Sequence, residues 1–380
     1  MKIVQLCPYA MSRPGGVQRH VRDLSVWLTR QGHQVRIIAP PAPGQVPQRD
    51  ELLTELGHAR AFGTHGTAYE LSFAGPMARR RVLADLRNWG AELVHLHTPW
   101  TPMLVGQMWR GLRLPPCLPT LTTIHATLPQ LAGKGLIDRY IRRSARYFLS
   151  QSDGVVVPSS APLPMLDRLI PDITASILPP AVDLTQWRAA AQPRENGPLS
   201  VVFLGRLEPR KGVDLLLKAW PSVSASLPDA TLTIAGDGAL RDRVQAAAGR
   251  NLIYAGRPGD AAARALLGGA DIFVAPAPYG ESYGLVLAEA MSAGAVPLAA
   301  ANAGYASVLG ADAPDLLVEP GNVDALAQGL IALASDPERL TAARRWAFAR
   351  ALESDLARAG PGYETIYAQT LAKARINRAR

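Results

Sequence analysis

ADIFVAPAPYGESYGLVLAEAMSAGAVPLAA, residues 270–300, contains a short apolar run, a Pro/Gly/Ser loop, a helical stretch stopping near Gly294 and a second apolar run. That order predicts strand, loop, helix, strand, the unit from which parallel sheets covered by helices are made. Two carboxylates interrupt the otherwise small or apolar composition, Glu281 in the loop and Glu289 in the second helical turn. A pair of carboxylates is the device of sugar hydrolases. Here the two acids sit in different settings. Glu281 follows a strand, where ligands collect in such sheets. Glu289 projects from an apolar helix, where an unpaired charge is costly. It therefore needs partners: the vicinal hydroxyls of a ribose, or an arginine in a structural ion pair. The amides around Gly284, Leu285 and Val286 lie at the helix start and can bind an anion without any side chain.

The same alternation extends in both directions. KIVQLC (2–7), QVRIIAP (34–40), AELVHLH (91–97), PTLTTIH (119–125) and DGVVVPS (153–159) read as strands separated by helical patterns. LSVVFLG (199–205), ATLTIAG (230–236), NLIYAG (251–256), ADIFVAP (270–276) and AVPLAA (295–300) repeat the style. Between them, residues 180–198 are rich in Pro, polar and small residues, and a fresh strand follows. The expectation is α/β: two doubly wound domains, 1–190 and 198–360, facing a central cleft. A C-terminal helix, 361–380, is expected to return to the first domain.

The chain has 380 residues, 48% of them hydrophobic and 19% charged, as in soluble globular proteins of two domains. Cys7 and Cys117 are the only cysteines, which argues against a disulfide framework or a thiolate metal site. No secretory leader and no apolar run of membrane-spanning length is visible, so a cytoplasmic location is expected. The net charge of +9 is uneven: residues 1–195 hold 22 Lys and Arg against 13 Asp and Glu, whereas residues 196–380 hold 18 of each. A basic half can meet nucleic acid, anionic lipid or an anionic substrate. KGLIDRYIRRSARYF (134–148) interleaves Arg139, Arg142, Arg143 and Arg146 with Leu, Ile, Tyr and Phe at helical spacing. This suits a helix lying on an anionic membrane surface, peripheral on the inner face of the cell membrane. It equally suits a solvated helix packing its apolar side on its own domain. No nucleic-acid motif accompanies the basic charge, and nucleic acid is not an expected partner.

Three further stretches follow strands. RPGGVQRHV (13–21) places Gly15 and Gly16 before a helix, where a backbone can approach a phosphate or simply turn tightly. FLGRLEPRKGVDLLLKAW (203–220) crowds Arg206, Arg210 and Lys211 after the first strand of the second half, cations suited to a pyrophosphate. His125 ends a strand; a lone histidine is as often a packing residue as a catalyst. His95 and His97 alternate along one strand, with one face at a time able to meet a ligand and His97 nearer the cleft end. Neither makes a metal site alone. The chain has no Asp-x-Asp pair, so a divalent ion held by paired acids is not expected.

PGGVQRHV, FLGRLEPRKGVD and GESYGLVLAEAMSAGAVP, in this order and at these distances, resemble glycosyltransferase family 4 over nearly the whole chain. These are retaining enzymes of GT-B fold that use a nucleotide-diphosphate sugar. CPYAMSRPGGVQRHV and EPRKG are especially similar to the phosphatidylinositol mannosyltransferase branch. The resemblance implies that Gly16 lets the first loop approach the donor phosphate and that Arg206 and Lys211 neutralise the pyrophosphate. It implies that Glu281 holds donor-sugar hydroxyls, that the amides from Tyr283 to Val286 meet sugar and phosphate, and that Glu289 binds the ribose. His125 would lie beside the reacting sugar; Tyr9, Gln18 and Arg210 would belong to the acceptor side. It implies no cofactor and no metal, the cations and helix-terminal amides stabilising the departing charge instead.

The acceptor half departs from that branch. His125 is followed by ATLPQ, the HLHTP run by Trp100, and PPAVD (179–183) stands where the family commonly has Pro-Asn-Gly-Val-Asp. The expectation is hexosyl transfer to a lipid-linked or envelope-glycan acceptor other than phosphatidylinositol. The alternatives are the same chemistry on a soluble small molecule, and a nucleotide-sugar-binding protein without turnover. Base recognition, expected near GRPGD (256–260), leaves guanosine and uridine diphosphate sugars open, and the oligomeric state is not encoded visibly.

Overall fold

The computed structural model describes all residues except 65–66, 99–102, 114–116, 126–135, 193–196 and 380. The chain divides into two units, one of residues 1–182 with 356–380 and one of residues 183–355.

In the first unit β1 (Lys2–Leu6), β2 (Gln34–Ala39), β3 (Leu53–Glu55), β6 (Leu93–His97), β7 (Thr120–Thr123), β8 (Gly154–Val157) and β9 (Ser176–Ile177) form one parallel sheet in the order β3-β2-β1-β6-β7-β8-β9. Between β3 and β6 an antiparallel hairpin is made by β4 (His58–Thr64) and β5 (Thr67–Phe73). The order reverses at β1, so the crossovers on its two sides cover opposite faces and the inner strands are buried on both sides. This is why β6 is wholly buried from Leu93 to His97 and why such strands read as continuous rather than alternating runs.

The second unit repeats the plan with β10 (Ser200–Leu204), β11 (Thr231–Ala235), β12 (Leu252–Tyr254), β13 (Ile272–Ala275), β14 (Val296–Ala300) and β15 (Leu317–Val318), ordered β12-β11-β10-β13-β14-β15 and all parallel. Pro297 sits inside β14, a place usually closed to a residue without an N–H. The amide of Val296 points to β13, bonding the Asp271 carbonyl at 2.9 Å, so position 297 faces the β15 side. There β15 pairs only from Ala299 onward, and no ladder bond is lost.

The division differs from the expected boundaries at both ends. Residues 183–190 belong with the second unit: Trp187 is 2% exposed, Arg188 bonds Asp355 at 2.8 Å, and Gly268 leaves room for the Ala190 carbonyl. The return to the first unit begins at Leu356, whose amide bonds the Val182 carbonyl at 3.0 Å. It continues as the helix Leu356–Ala379, which seats Tyr363 and Tyr367 in the core beside Ile3, Leu24, Leu93 and Leu121.

Candidate active site

The quoted stretch folds as β13, a loop and the helix Leu285–Ser292, followed by β14. Gly284 caps the helix at φ 100°, in the left-handed region that disfavours other residues. A Cβ there would also overlap the ring of Tyr305. Tyr305 belongs to the helix Ala303–Leu309, which Asn302 caps by accepting the Tyr305 amide at 3.0 Å while donating to the Ala277 carbonyl at 2.8 Å. The loops after β13 and β14 are thereby tied together.

Across from them, β10 runs into Gly205 and a short 3-10 turn, Pro209–Lys211, ended by Gly212 at φ 73°. A side chain at Gly212 would collide with the Pro276 carbonyl just after β13. This close approach brings the cations of one loop onto the acid of the other. Lys211 Nζ donates to Glu281 Oε1 at 2.7 Å, and Arg210 donates to the same oxygen at 2.9 Å and to the Gly280 carbonyl at 3.0 Å. The Glu281 side chain is 9% exposed, with Arg210 at 20% and Lys211 at 19%. Arg206 is half exposed and donates to Glu208 at 2.9 Å. Arg210 and Lys211 thus share Glu281, while Arg206 pairs with Glu208 in the same turn, and the helix 285–292 starts four residues after Glu281. Burial, and next the Glu281 charge, raise the Tyr305 pKa well above that of a free phenol, with Arg210 offsetting part of it. Tyr305 therefore stays protonated as a buttress.

Arg210, expected on the acceptor side with Tyr9 and Gln18, donates to Glu281 and to the Gly280 carbonyl within its own unit. The Tyr283 side chain is buried, with its hydroxyl 2.6 Å from the Ser354 hydroxyl. Glu289 is buried in the helix 285–292, as its apolar neighbours required.

In the first unit, Gly16 opens the helix Gly16–Arg30. The room in this turn is made by Gly15, where a Cβ would run into the Gln18 side chain. Tyr9 is half-buried against Cys7, Met11 and Val21. His95 and His97, two apart on β6, face the same side and join a buried network. Gln5 of β1 donates to Tyr367 Oη at 3.2 Å and accepts from His97 Nε2 at 2.6 Å. His97 Nδ1 lies 2.8 Å from His125 Nε2. His95 bridges Tyr367 Oη at 2.9 Å and Thr123 Oγ1 at 2.7 Å. His20, on the core side of the helix 16–30, packs its ring 5.3 Å from His125 and 5.1 Å from Tyr363. Burial first, and neighbouring imidazoles second, hold His95, His97 and His125 well below the usual histidine range. Burial lowers His20 to about 4, against a partial upward pull from the Ala181 carbonyl. All four are neutral at pH 7. Motif reading missed Gln5, His20, Thr123, Tyr367, Asn302 and Tyr305. The signal for His20 was present: with Val21, Leu24 and Leu28 it occupies the apolar stripe of its helix.

The helix Leu136–Ser150 buries Ala145, Phe148 and Leu149 and exposes Arg139, Arg142, Arg143, Arg146, Tyr140 and Tyr147. Its apolar side packs on its own unit while the basic side, with two aromatic rings, faces solvent. Arg146 also donates to the Leu169 carbonyl at 3.0 Å. No helix among the described residues is long and apolar enough to cross a membrane. ATLPQ and Trp100 lie outside the described residues.

Residues 14–186 match the family model Glycosyltransferase Family 4, and residues 185–349 match Glycosyl transferases group 1. A phosphatidyl-myo-inositol mannosyltransferase of Mycobacterium tuberculosis is 32% identical over 354 residues, covering 88% of this chain and 87% of the relative. The chain belongs to glycosyltransferase family 4. Solved structures agree on the fold. Sucrose-phosphate synthase from Thermosynechococcus elongatus superposes with a TM-score of 0.77 at 20% identity, covering 98% of this chain and 99% of that one. Anabaena HepE, in complex with UDP and glucose, gives 0.74 at 17% identity with 97% and 99% covered. The transferase thus has the GT-B fold, with two Rossmann-like units.

Proposed function

We propose that this transferase moves a hexose of mannose or glucose type, with retention of configuration, from a nucleotide-diphosphate sugar to a lipid-linked or envelope-glycan acceptor. The observation that carries the reading is the joint hold of Arg210 and Lys211 on Glu281 beside the amides that open the helix 285–292. In this reading Glu281 grips hydroxyls of the donor sugar. Arg206 and Lys211, with the amides of Tyr283 to Val286, take up the charge of the departing pyrophosphate. Glu289 meets the ribose, and Gly16 admits the phosphate to the first loop. The acceptor hydroxyl attacks C1 on the face the leaving group vacates. The C1–O(phosphate) bond breaks, the new glycosidic C1–O bond forms, and the acceptor proton passes to the leaving phosphate. Tyr9, Gln18 and His125 serve the acceptor side. Fixed cations do the work of a metal, so the reaction proceeds in chelator.

The basic face of helix 136–150 supports peripheral contact with anionic lipid on the inner face of the membrane, and the relatives' lipid acceptors accord with it. The altered residues after His125 and His97 support an acceptor other than phosphatidylinositol. Thermal-shift screening of GDP- and UDP-linked hexoses tests the donor. A ligand at 100 times its Kd stabilises the native state by about 2.7 kcal/mol, and Glu281→Ala should abolish both that shift and transfer. A Glu281→Ala enzyme with full turnover, or phosphatidylinositol serving as well as the best acceptor, would overturn the corresponding part.

A further inference from the structure

The histidines offer more than a scaffold. His20, His97 and His125 each direct a ring nitrogen into one space, and these three atoms lie within 4.8 Å of one another. Their protonation follows from the fixed partners. His20 Nδ1 stands 3.0 Å from the Ala181 carbonyl, which can only accept, so this nitrogen holds the proton. The lone pair then belongs to His20 Nε2, which is buried and has no hydrogen-bond partner among the described residues. Leaving such an acceptor unpaired is costly. His97 Nε2 faces the Gln5 carbonyl oxygen at 2.6 Å and so donates, leaving the His97 lone pair on Nδ1, turned toward His125. In both rings the far nitrogen is anchored on a carbonyl oxygen and the near one carries the lone pair. This is the arrangement by which proteins orient metal-ligating imidazoles.

We propose that His20, His97 and His125 form a binding site for one divalent transition-metal ion of the zinc class. Three neutral nitrogen donors with no carboxylate in the set select a borderline cation over magnesium or calcium. At metal–nitrogen distances of about 2.1 Å, ligand nitrogens on a tetrahedral ion stand roughly 3.4 Å apart, so His20 must swing inward while His97 and His125 part slightly. The ion takes the place of the proton shared by His97 and His125, and water completes its shell. Occupancy also ties down the ring nearest the proposed chemistry, making the ion a reversible inhibitor rather than a participant. That consequence rests on the transferase reading; the binding does not.

The test uses the full chain freed of metal by chelator. Zn2+ is titrated by calorimetry and Co2+ by visible absorption, where four-coordinate cobalt gives intense bands. The expected result is one ion per chain, a raised melting temperature with Zn2+, and loss of affinity of at least about tenfold in His20→Gln. His95→Gln, from the same buried network but with both ring nitrogens already held by Tyr367 and Thr123, should keep the site. If His20→Gln fails to fold, the less buried His125→Gln serves in its place. Absence of stoichiometric binding, or binding of unchanged affinity and spectrum in a folded His20→Gln or His125→Gln, overturns the proposal. These readouts need no sugar transfer, so this claim and the transferase reading fail separately.

Discussion

Lys211 and Arg210 share one oxygen of Glu281, and this duplication decides what a substitution does. Removing Lys211 leaves the carboxylate still paired, so Lys211→Ala should cost only about 1 kcal/mol of stability, as for a partly exposed pair, in urea unfolding. Turnover should fall roughly 100-fold or more, the scale seen when one electrostatic contact to developing charge is removed. The buried histidines make a second prediction at this scale. His20 titrates near 6.5 when unfolded and about 4 when folded, so between these values the unfolded chain binds more protons than the native one. Stability is therefore complete above pH 6.5 and declines as pH falls toward 4. His20 alone removes roughly 3 kcal/mol across that window, and His95, His97 and His125 shift in the same direction. Urea midpoints should drop steeply from pH 7 to pH 5, and His20→Gln should flatten the slope. The clustering of Arg210, Lys211 and Glu281 was legible in sequence because each stands in a loop that directly follows a strand of one parallel sheet. Asn302 and Tyr305 were not, since their role arises from a contact between loops that follow different strands.

At the scale of the element, the strand–loop–helix units were legible because parallel strands buried on both faces are mostly apolar or β-branched. The helix 136–150 shows the limit of such reading. Its sequence allowed a helix lying on an anionic membrane surface or a solvated helix packing its apolar side on its own domain; the structure buries Ala145, Phe148 and Leu149 and leaves the arginines exposed, which leaves membrane contact to experiment. Charge on an exposed helix is cheap to change, so Arg139, Arg142 and Arg143→Ala together should leave the melting temperature within a few degrees. The same variant should sediment less with vesicles containing anionic lipid, and the wild-type binding should weaken as salt is raised. Sedimentation equal to wild type would remove the helix from any account of acceptor access.

At the scale of the molecule, the expected boundaries missed by several residues at each crossing because Pro-rich composition marks a change of path, not the point where packing changes partner. Trp187 and Ala190, within the apparent linker, already pack on the second unit. The helix 356–379 completes the first. Removing residues 356–380 would strip Tyr363 and Tyr367 from the core, each a large side chain whose loss costs on the order of 3–5 kcal/mol, and would leave His95 without its Tyr367 partner. Limited proteolysis of that truncation should cleave within 1–182 while 183–355 remains resistant. Equal resistance of both units would contradict the assignment of the helix.

The return of that helix also sets an order of events during synthesis. The bond between Gln5 and Tyr367 spans 362 residues, so the strand made first acquires its partner almost last. The second unit is continuous in sequence and can close while the chain is still emerging; the first waits, with part of its apolar core uncovered, until the helix 356–379 has been made and released. The half of the protein that carries all of its surplus positive charge is therefore the half that stays open longest in the cell.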